Sequence, residues 1–135
     1  MVESSRALQF LITTILSEKN IVKSVQNSRH AMQLFASGFE ASLLIVDIPN
    51  MESENFEFME HITTSSIFEN IPVIVLSANA DEELKNTCLE LGATCFLTKP
   101  FDPVYLSEKV NQLLSVGEPD IVVPKRSVFN NMNFF

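Results

Sequence analysis

Leu43-Leu44-Ile45-Val46-Asp47 is the stretch that decides the fold. Four apolar residues in a row, closed by a carboxylate, read as a strand covered on both faces, as in a parallel sheet packed between helices. The carboxyl end of such a strand is where open α/β sheets place their chemistry. Two later runs end in the same manner. Val73-Ile74-Val75-Leu76 runs into Ser77, and Cys95-Phe96-Leu97-Thr98 runs into Lys99-Pro100. An acid, a hydroxyl and an ammonium are thus expected along one edge of one sheet.

Around these runs the apolar spacing turns helical. Leu8, Leu11, Ile12, Ile15 and Leu16 predict a helix over about 5–17, broken at Asn20. Residues 21–26 alternate and predict a short, half-exposed strand. Ser28 opens a second helix, with Ala31, Met32, Leu34 and Phe35 inward and a stop at Gly38. Ile48 to Asn55 is polar, contains Pro49, and is expected as a loop. Phe56, Phe58, Met59 and Ile62 predict the next helix, and Pro72 opens the strand 73–77. Asp81 starts a helix carrying Leu84, Cys88, Leu89 and Leu91, ended by Gly92. Residues 93–98 form a strand. Pro103 fits the first turn of a last helix with Val104, Leu106, Val110, Leu113 and Leu114 inward. Strand and helix alternate throughout. Short connections and right-handed crossovers then give a parallel sheet with helices on both faces.

At 135 residues and 46% hydrophobic content the chain can bury one core. A net charge of −8 argues against a nucleic-acid backbone as partner, since that needs clustered Lys and Arg. Cys88 and Cys95 match no zinc or redox spacing and are expected as small core residues, unbridged, in a reducing compartment. No apolar run approaches the ~20 residues of a membrane span. Residues 1–5 lack the basic and apolar regions of a signal peptide. The expected location is the cytoplasm, without membrane contact.

The assembled residues resemble the receiver domain of two-component response regulators. The resemblance rests on LLIVD (43–47), PVIVLSA (72–78) and LGATCFLTKPF (91–101), and spans about residues 2–115. It implies a flavodoxin-like α/β fold: a doubly wound five-stranded parallel sheet, order 2-1-3-4-5, with helices on both faces. That places the domain at 1–116, followed by a C-terminal tail or linker at 117–135. It implies a phosphoacceptor rather than an enzyme, taking a phosphoryl group from a histidine kinase onto an aspartate with Mg²⁺ bound. Asp47 matches the acceptor, Ser77 the hydroxyl that follows the phosphate, and Lys99 the lysine. Lys99-Pro100 matches a peptide usually cis in the family, and Phe96 matches the switch aromatic. Pro49 matches the position whose main-chain carbonyl meets the metal. The partners implied are a histidine kinase or phosphotransfer protein and a downstream output protein or domain, with a homodimer as a further option.

The chain departs from the family at three places. Glu3 and Ser4 stand where receivers carry two adjacent acids. Only Met1-Val2 precede them, fewer than the usual five or so strand residues. Residues 49–55 replace the usual loop signals. The metal set expected is therefore Glu3, Asp47 and Pro49, with Ser4 holding a metal water. Two carboxylates about 4 Å apart repel by roughly 4 kcal/mol at an effective dielectric near 20, which a divalent ion relieves. Lys99 offers a point charge to a phosphoryl oxygen and Ser77 a hydrogen bond to another.

Each residue also has a plainer reading. Asp47 and Ser77 suit turn caps, Lys99 a surface ammonium, Phe96 a core aromatic, and Glu3 a solvated first-turn acid. His30 and His61 are read as solvated. The alternative function is a degenerate receiver serving only as a protein-interaction module. Enzyme readings are weaker: haloacid-dehalogenase-type phosphatases need an acid where Pro49 stands, and flavin binding wants more than Glu3-Ser4-Ser5-Arg6. The tail reads first as a linker. Its alternative is that Asp120-Ile121-Val122-Val123 fills the slot of the near-missing first strand, within the chain or in a swapped dimer.

Overall fold

The computed structural model describes residues 6–18, 20–68, 70–115 and 133–134. The elements, in order, are α1 (Arg6–Leu16), β1 (Val22–Lys23), α2 (Ser28–Ala36), β2 (Leu44–Asp47) and α3 (Glu54–Thr64). A short 3₁₀ turn (Ser66–Phe68) leads to β3 (Val73–Ser77), α4 (Glu82–Leu91), β4 (Cys95–Thr98), α5 (Pro103–Ser115) and β5 (Asn133–Phe134). The predicted helices and the strands ending at Asp47, Ser77 and Thr98 are all present. The strand expected over 21–26 shrinks to two residues, with Ile21 half exposed.

Local chemistry sets the helix starts. The side chains of Asn27, Ser53 and Asp81 accept from the N–H groups of His30, Phe56 and Glu83, each satisfying a donor the helix leaves orphaned. Asp102 does the same for Val104 at 2.9 Å, ahead of Pro103. Gly92 ends α4 with φ 120°, and an added Cβ there would lie 3.0 Å from Thr63 Cβ. Both the backbone conformation and the approach of α3 therefore ask for glycine.

The sheet is parallel, in the spatial order β1-β5-β2-β3-β4. Side-chain alternation along β2 and β3 divides the core in two. Leu44, Val46, Val73 and Val75 face α2, α3 and α4 in one cluster with Phe56, Met59, Ile62, Leu84 and Cys88. Leu43, Ile45, Ile74 and Leu76 face α1 and α5 in the other, with Ile12, Leu16, Leu106 and Val110. Every residue of β3 is buried, as continuous apolar runs in a doubly covered sheet should be. Leu11, Met32, Leu89 and Val104, all placed on apolar helix faces by the sequence, are 41%, 37%, 38% and 62% exposed. They mark the margins of apolar stripes wider than the faces the helices bury.

The position beside β2 differs from expectation. Met1-Val2, read as the first strand, lie outside the described residues, and so does Ile121–Val123. The pair that occupies the place between β1 and β2 is Asn133–Phe134, in parallel register with Val22 and Lys23 on one side and with Leu44 on the other. Asn133–Phe134 belong to the stretch 117–135 that reads from sequence as a tail or linker.

Candidate functional site

Parallel strands of one sheet bring their carboxyl ends together. β2 ends at Asp47, β3 at Ser77, and β4 runs out through Thr98 to Lys99. Lys99 Nζ lies 2.6 Å from Asp47 Oδ1, a charge-assisted contact, with the two side chains only 21% and 15% exposed. The pair is screened less than a surface ion pair and desolvated less than a core pair. The Lys99 N–H donates to the Ser77 carbonyl at 2.7 Å, so the lysine is carried on the end of the neighbouring strand. The Lys99-Pro100 peptide is cis, as the resemblance implies.

Ser77 is fully buried. Its Oγ accepts from the Asn79 N–H at 3.0 Å. Strand alternation sends the Ser77 side chain to the same face as Val73 and Val75. Ser77 pairs in register with Thr98, and Phe96, two residues back, shares that face. The Phe96 ring is half buried and packs against the cluster that includes Leu84 and Cys88.

The loop after Asp47 is tied down by two asparagines that sequence reasoning missed. Asn55 Nδ2 donates to the Asp47 carbonyl at 2.7 Å, and Asn79 Nδ2 donates to the Pro49 carbonyl at 3.4 Å. The amides are visible in the sequence, one two residues past Ser77 and another in the first turn of the helix after the acid, but nothing local names their partners. An amide carries two donor hydrogens and an acceptor, so it can span a loop as no apolar residue can. The Ile48 N–H donates to the Leu76 carbonyl at 2.9 Å, continuing the ladder past the end of β2.

Of the expected site residues, Asp47, Ser77 and Lys99 come together, Pro49 stands on the adjoining loop, and Phe96 lies on the face below Ser77. Glu3 and Ser4 lie outside the described residues. Among the described residues no group of three or more His, Cys, Asp or Glu side chains is placed to hold a metal. The donors available there are the Asp47 carboxylate and the Pro49 carbonyl. Both are hard oxygens and fit Mg²⁺, which keeps several waters and takes one or two carboxylates together with phosphate oxygens.

His30 and His61 are exposed, His61 meeting the Phe68 ring edge-on at 6.5 Å. Both cysteines are free and buried. Burial pushes the Cys88 thiol from 9.0 up to about 11. Burial also raises Cys95, with Lys109 acting against it. Neither cysteine reaches the sheet edge that carries Asp47. No described helix is long and apolar enough to cross a membrane.

Residues 1–111 match the response regulator receiver domain family. The two-component response regulator ORR5 of Oryza sativa subsp. japonica is 30% identical over 114 residues, covering 84% of this chain and 85% of its own. The transcriptional regulatory protein GltR of Pseudomonas aeruginosa is 31% identical over 115 residues, 84% of this chain and 47% of its own. Among solved structures, the receiver domain of a histidine kinase from Syntrophus aciditrophicus superposes with a TM-score of 0.76 at 28% identity, covering 93% of this chain and 96% of that one. A response regulator from Thermotoga maritima gives 0.73 at 27% identity, covering 84% and 93%. Sequence, strand-end chemistry and fold agree, and the chain belongs to the response regulator receiver domains of two-component systems.

Proposed function

We propose that Asp47 accepts a phosphoryl group from a phosphohistidine on a histidine kinase or phosphotransfer protein. The observation that carries this reading is the Asp47–Lys99 contact at 2.6 Å beside the buried Ser77 hydroxyl. An Asp47 carboxylate oxygen forms the new P–O bond as the P–N bond to the donor imidazole breaks, and the electron pair leaves with the imidazole nitrogen. Such transfers demand positioning and charge stabilisation more than covalent work from the protein. Lys99 passes from the free carboxylate to a phosphoryl oxygen. Ser77 turns its hydroxyl from the Asn79 N–H toward another phosphoryl oxygen, and Phe96 repacks on the face that Ser77 leaves. Asp47, the Pro49 carbonyl and Glu3 would hold Mg²⁺, whose chemistry is to neutralise charge on the phosphoryl group.

Read across the sheet, β1, Asn133–Phe134, β2, β3 and β4 correspond in turn to strands 2, 1, 3, 4 and 5 of the family's order. The output surface is the face of α4, β4 and α5, where Leu89, Val104 and Tyr105 are exposed and a downstream protein or domain can dock. The protein works in the cytoplasm as a switch and not as an enzyme.

Intact-mass measurement with acetyl phosphate and Mg²⁺ tests the acceptor. One added phosphoryl group is expected, absent in Asp47→Asn; labelling that persists in that variant overturns the assignment. Glu3→Gln is expected to weaken Mg²⁺ binding and Ser4→Asp to strengthen it, and equal affinities in titration would remove Glu3 from the metal set. A second reading, an interaction module that is never phosphorylated, is favoured by Ser4 in place of the second acid. It predicts no labelling in the parent chain and equal partner affinity with and without phosphodonor.

A further inference from the structure

Asn79 makes three hydrogen bonds that join separate parts of the site. Its N–H donates to Ser77 Oγ at 3.0 Å, its Nδ2 donates to the Pro49 carbonyl at 3.4 Å, and its Oδ1 accepts from the Asp81 N–H at 2.9 Å. Asp81 is the N-cap of α4, and its Oδ1 accepts from the Glu83 N–H at 3.1 Å. One half-buried residue thus touches the loop after Asp47, the hydroxyl at the end of β3 and the first turn of α4.

We propose that Asn79 is a positioning residue that couples cation binding at the Pro49 carbonyl to the start of α4. The inference rests on the reading above for what enters the site; the coupling itself rests on the three bonds. At 3.4 Å the Nδ2–Pro49 bond is at the long, weak end of its kind and is readily exchanged. A cation on the Pro49 oxygen and an N–H donor aimed at that same oxygen repel each other. Cation binding and the Asn79 amide therefore compete. An amide released from Pro49 loses the anchor that orients its Oδ1 toward Asp81, and the cap of α4 changes with it. The relation is reciprocal: cation binding weakens the Asn79–Pro49 bond by the same coupling free energy with which that bond weakens cation binding.

The test is a Mg²⁺ titration of the full ¹⁵N-labelled chain and of Asn79→Ala, followed by NMR. In the parent chain the Asn79 side-chain amide and the main-chain amides of Asp81 and Glu83 shift with the same midpoint as Ile48. In Asn79→Ala, Mg²⁺ binds about twofold tighter, the low end for one hydrogen bond as its length implies, and the α4 amides no longer follow the metal. Asn79→Ser keeps a short acceptor for Asp81 without an Nδ2. It reproduces the gain in affinity, and so separates lost competition from a damaged fold. Unchanged or weaker Mg²⁺ affinity in both variants overturns the proposal, as does an α4 response that survives in Asn79→Ala. Absence of any Mg²⁺ shift in the parent chain also overturns it. Labelling by acetyl phosphate that is lost only in Asp47→Asn then leaves the acceptor reading standing. Conversely, intact Mg²⁺ coupling without labelling removes the acceptor reading and keeps the role of Asn79.

Discussion

Lys99 meets Asp47 on a sheet edge where both side chains are mostly, but not fully, withdrawn from water. If Asp47 is the phosphoryl acceptor proposed above, an ammonium there does more for a transition state than for the fold, because the charge it answers grows when a phosphoryl group arrives. Lys99→Ala is accordingly expected to slow phosphoryl labelling by about 10²-fold or more while leaving the chain folded. Lys99→Arg should not rescue it, since a planar fork cannot replace a mobile point charge. Labelling rates from intact mass, alongside circular dichroism, check both expectations. The cysteines make a second prediction at this scale. The fold raises the Cys88 thiol from 9.0 to about 11, so it favours the protonated form. That contribution is complete below pH 9.0 and is lost as the pH rises toward about 11. Urea melts across that window should show stability falling. Native Cys88 should resist alkylation at neutral pH while the unfolded chain reacts, and rapid labelling of native Cys88 would contradict its burial.

At the scale of elements, the loops after β2 and β3 are held by side chains more than by regular structure. Asn55 reaches back from the first turn of α3 to the Asp47 carbonyl, and Ser53 caps the same helix. Asn55→Ala should cost about 1 kcal/mol for the lost bond, and Ser53→Ala about as much for the lost cap. Gly92 presents a sharper case. Its φ of 120° is rarely adopted by residues with a side chain, and Thr63 Cβ would stand 3.0 Å from an added methyl group. Gly92→Ala is expected to destabilise by more than about 1 kcal/mol, the two penalties acting together. Denaturant midpoints for the three variants would rank Gly92→Ala lowest. The start of α4 at Asp81 was legible in the sequence because a cap lies beside the helix it opens, whereas Asn27, Ser53 and Asp102 were not singled out as caps. The Asn55 and Asn79 bonds were not legible, because their partners are 8 and 30 residues away and only the fold brings them close.

For the whole molecule, the informative feature is the sheet's second position. Asn133–Phe134 lie between β1 and β2, beside the strand that ends in Asp47. Main-chain groups at the centre of a sheet need partners, and these two residues supply them to Val22, Lys23 and Leu44. Deleting residues 118–135 should therefore lower stability by about 1 kcal/mol or more, a Tm shift of roughly 2–8 °C. It should also expose the amides of Val22, Lys23 and Leu44 to hydrogen exchange. If melting temperature, oligomeric state and exchange are all unchanged, the pairing contributes nothing.

The sequence alone determined the alternation of strands and helices, the two-faced burial of 43–47 and 73–77, and the meeting of Asp47, Ser77 and Lys99 on one edge. Those follow from hydrophobic period and from parallel strand direction, both of which are written locally along the chain. It did not determine which tail residues enter the sheet. Ile121–Val123 had the better strand composition, yet Asn133–Phe134 are the described pair in that place. Nor did it reveal that amide side chains hold the loop around the site, since a hydrogen bond between Asn79 and Pro49 exists only once β2 and β3 lie side by side. Short-range chemistry is read from neighbours in the chain, whereas contacts between strand ends are decided by the packing that makes them neighbours in space.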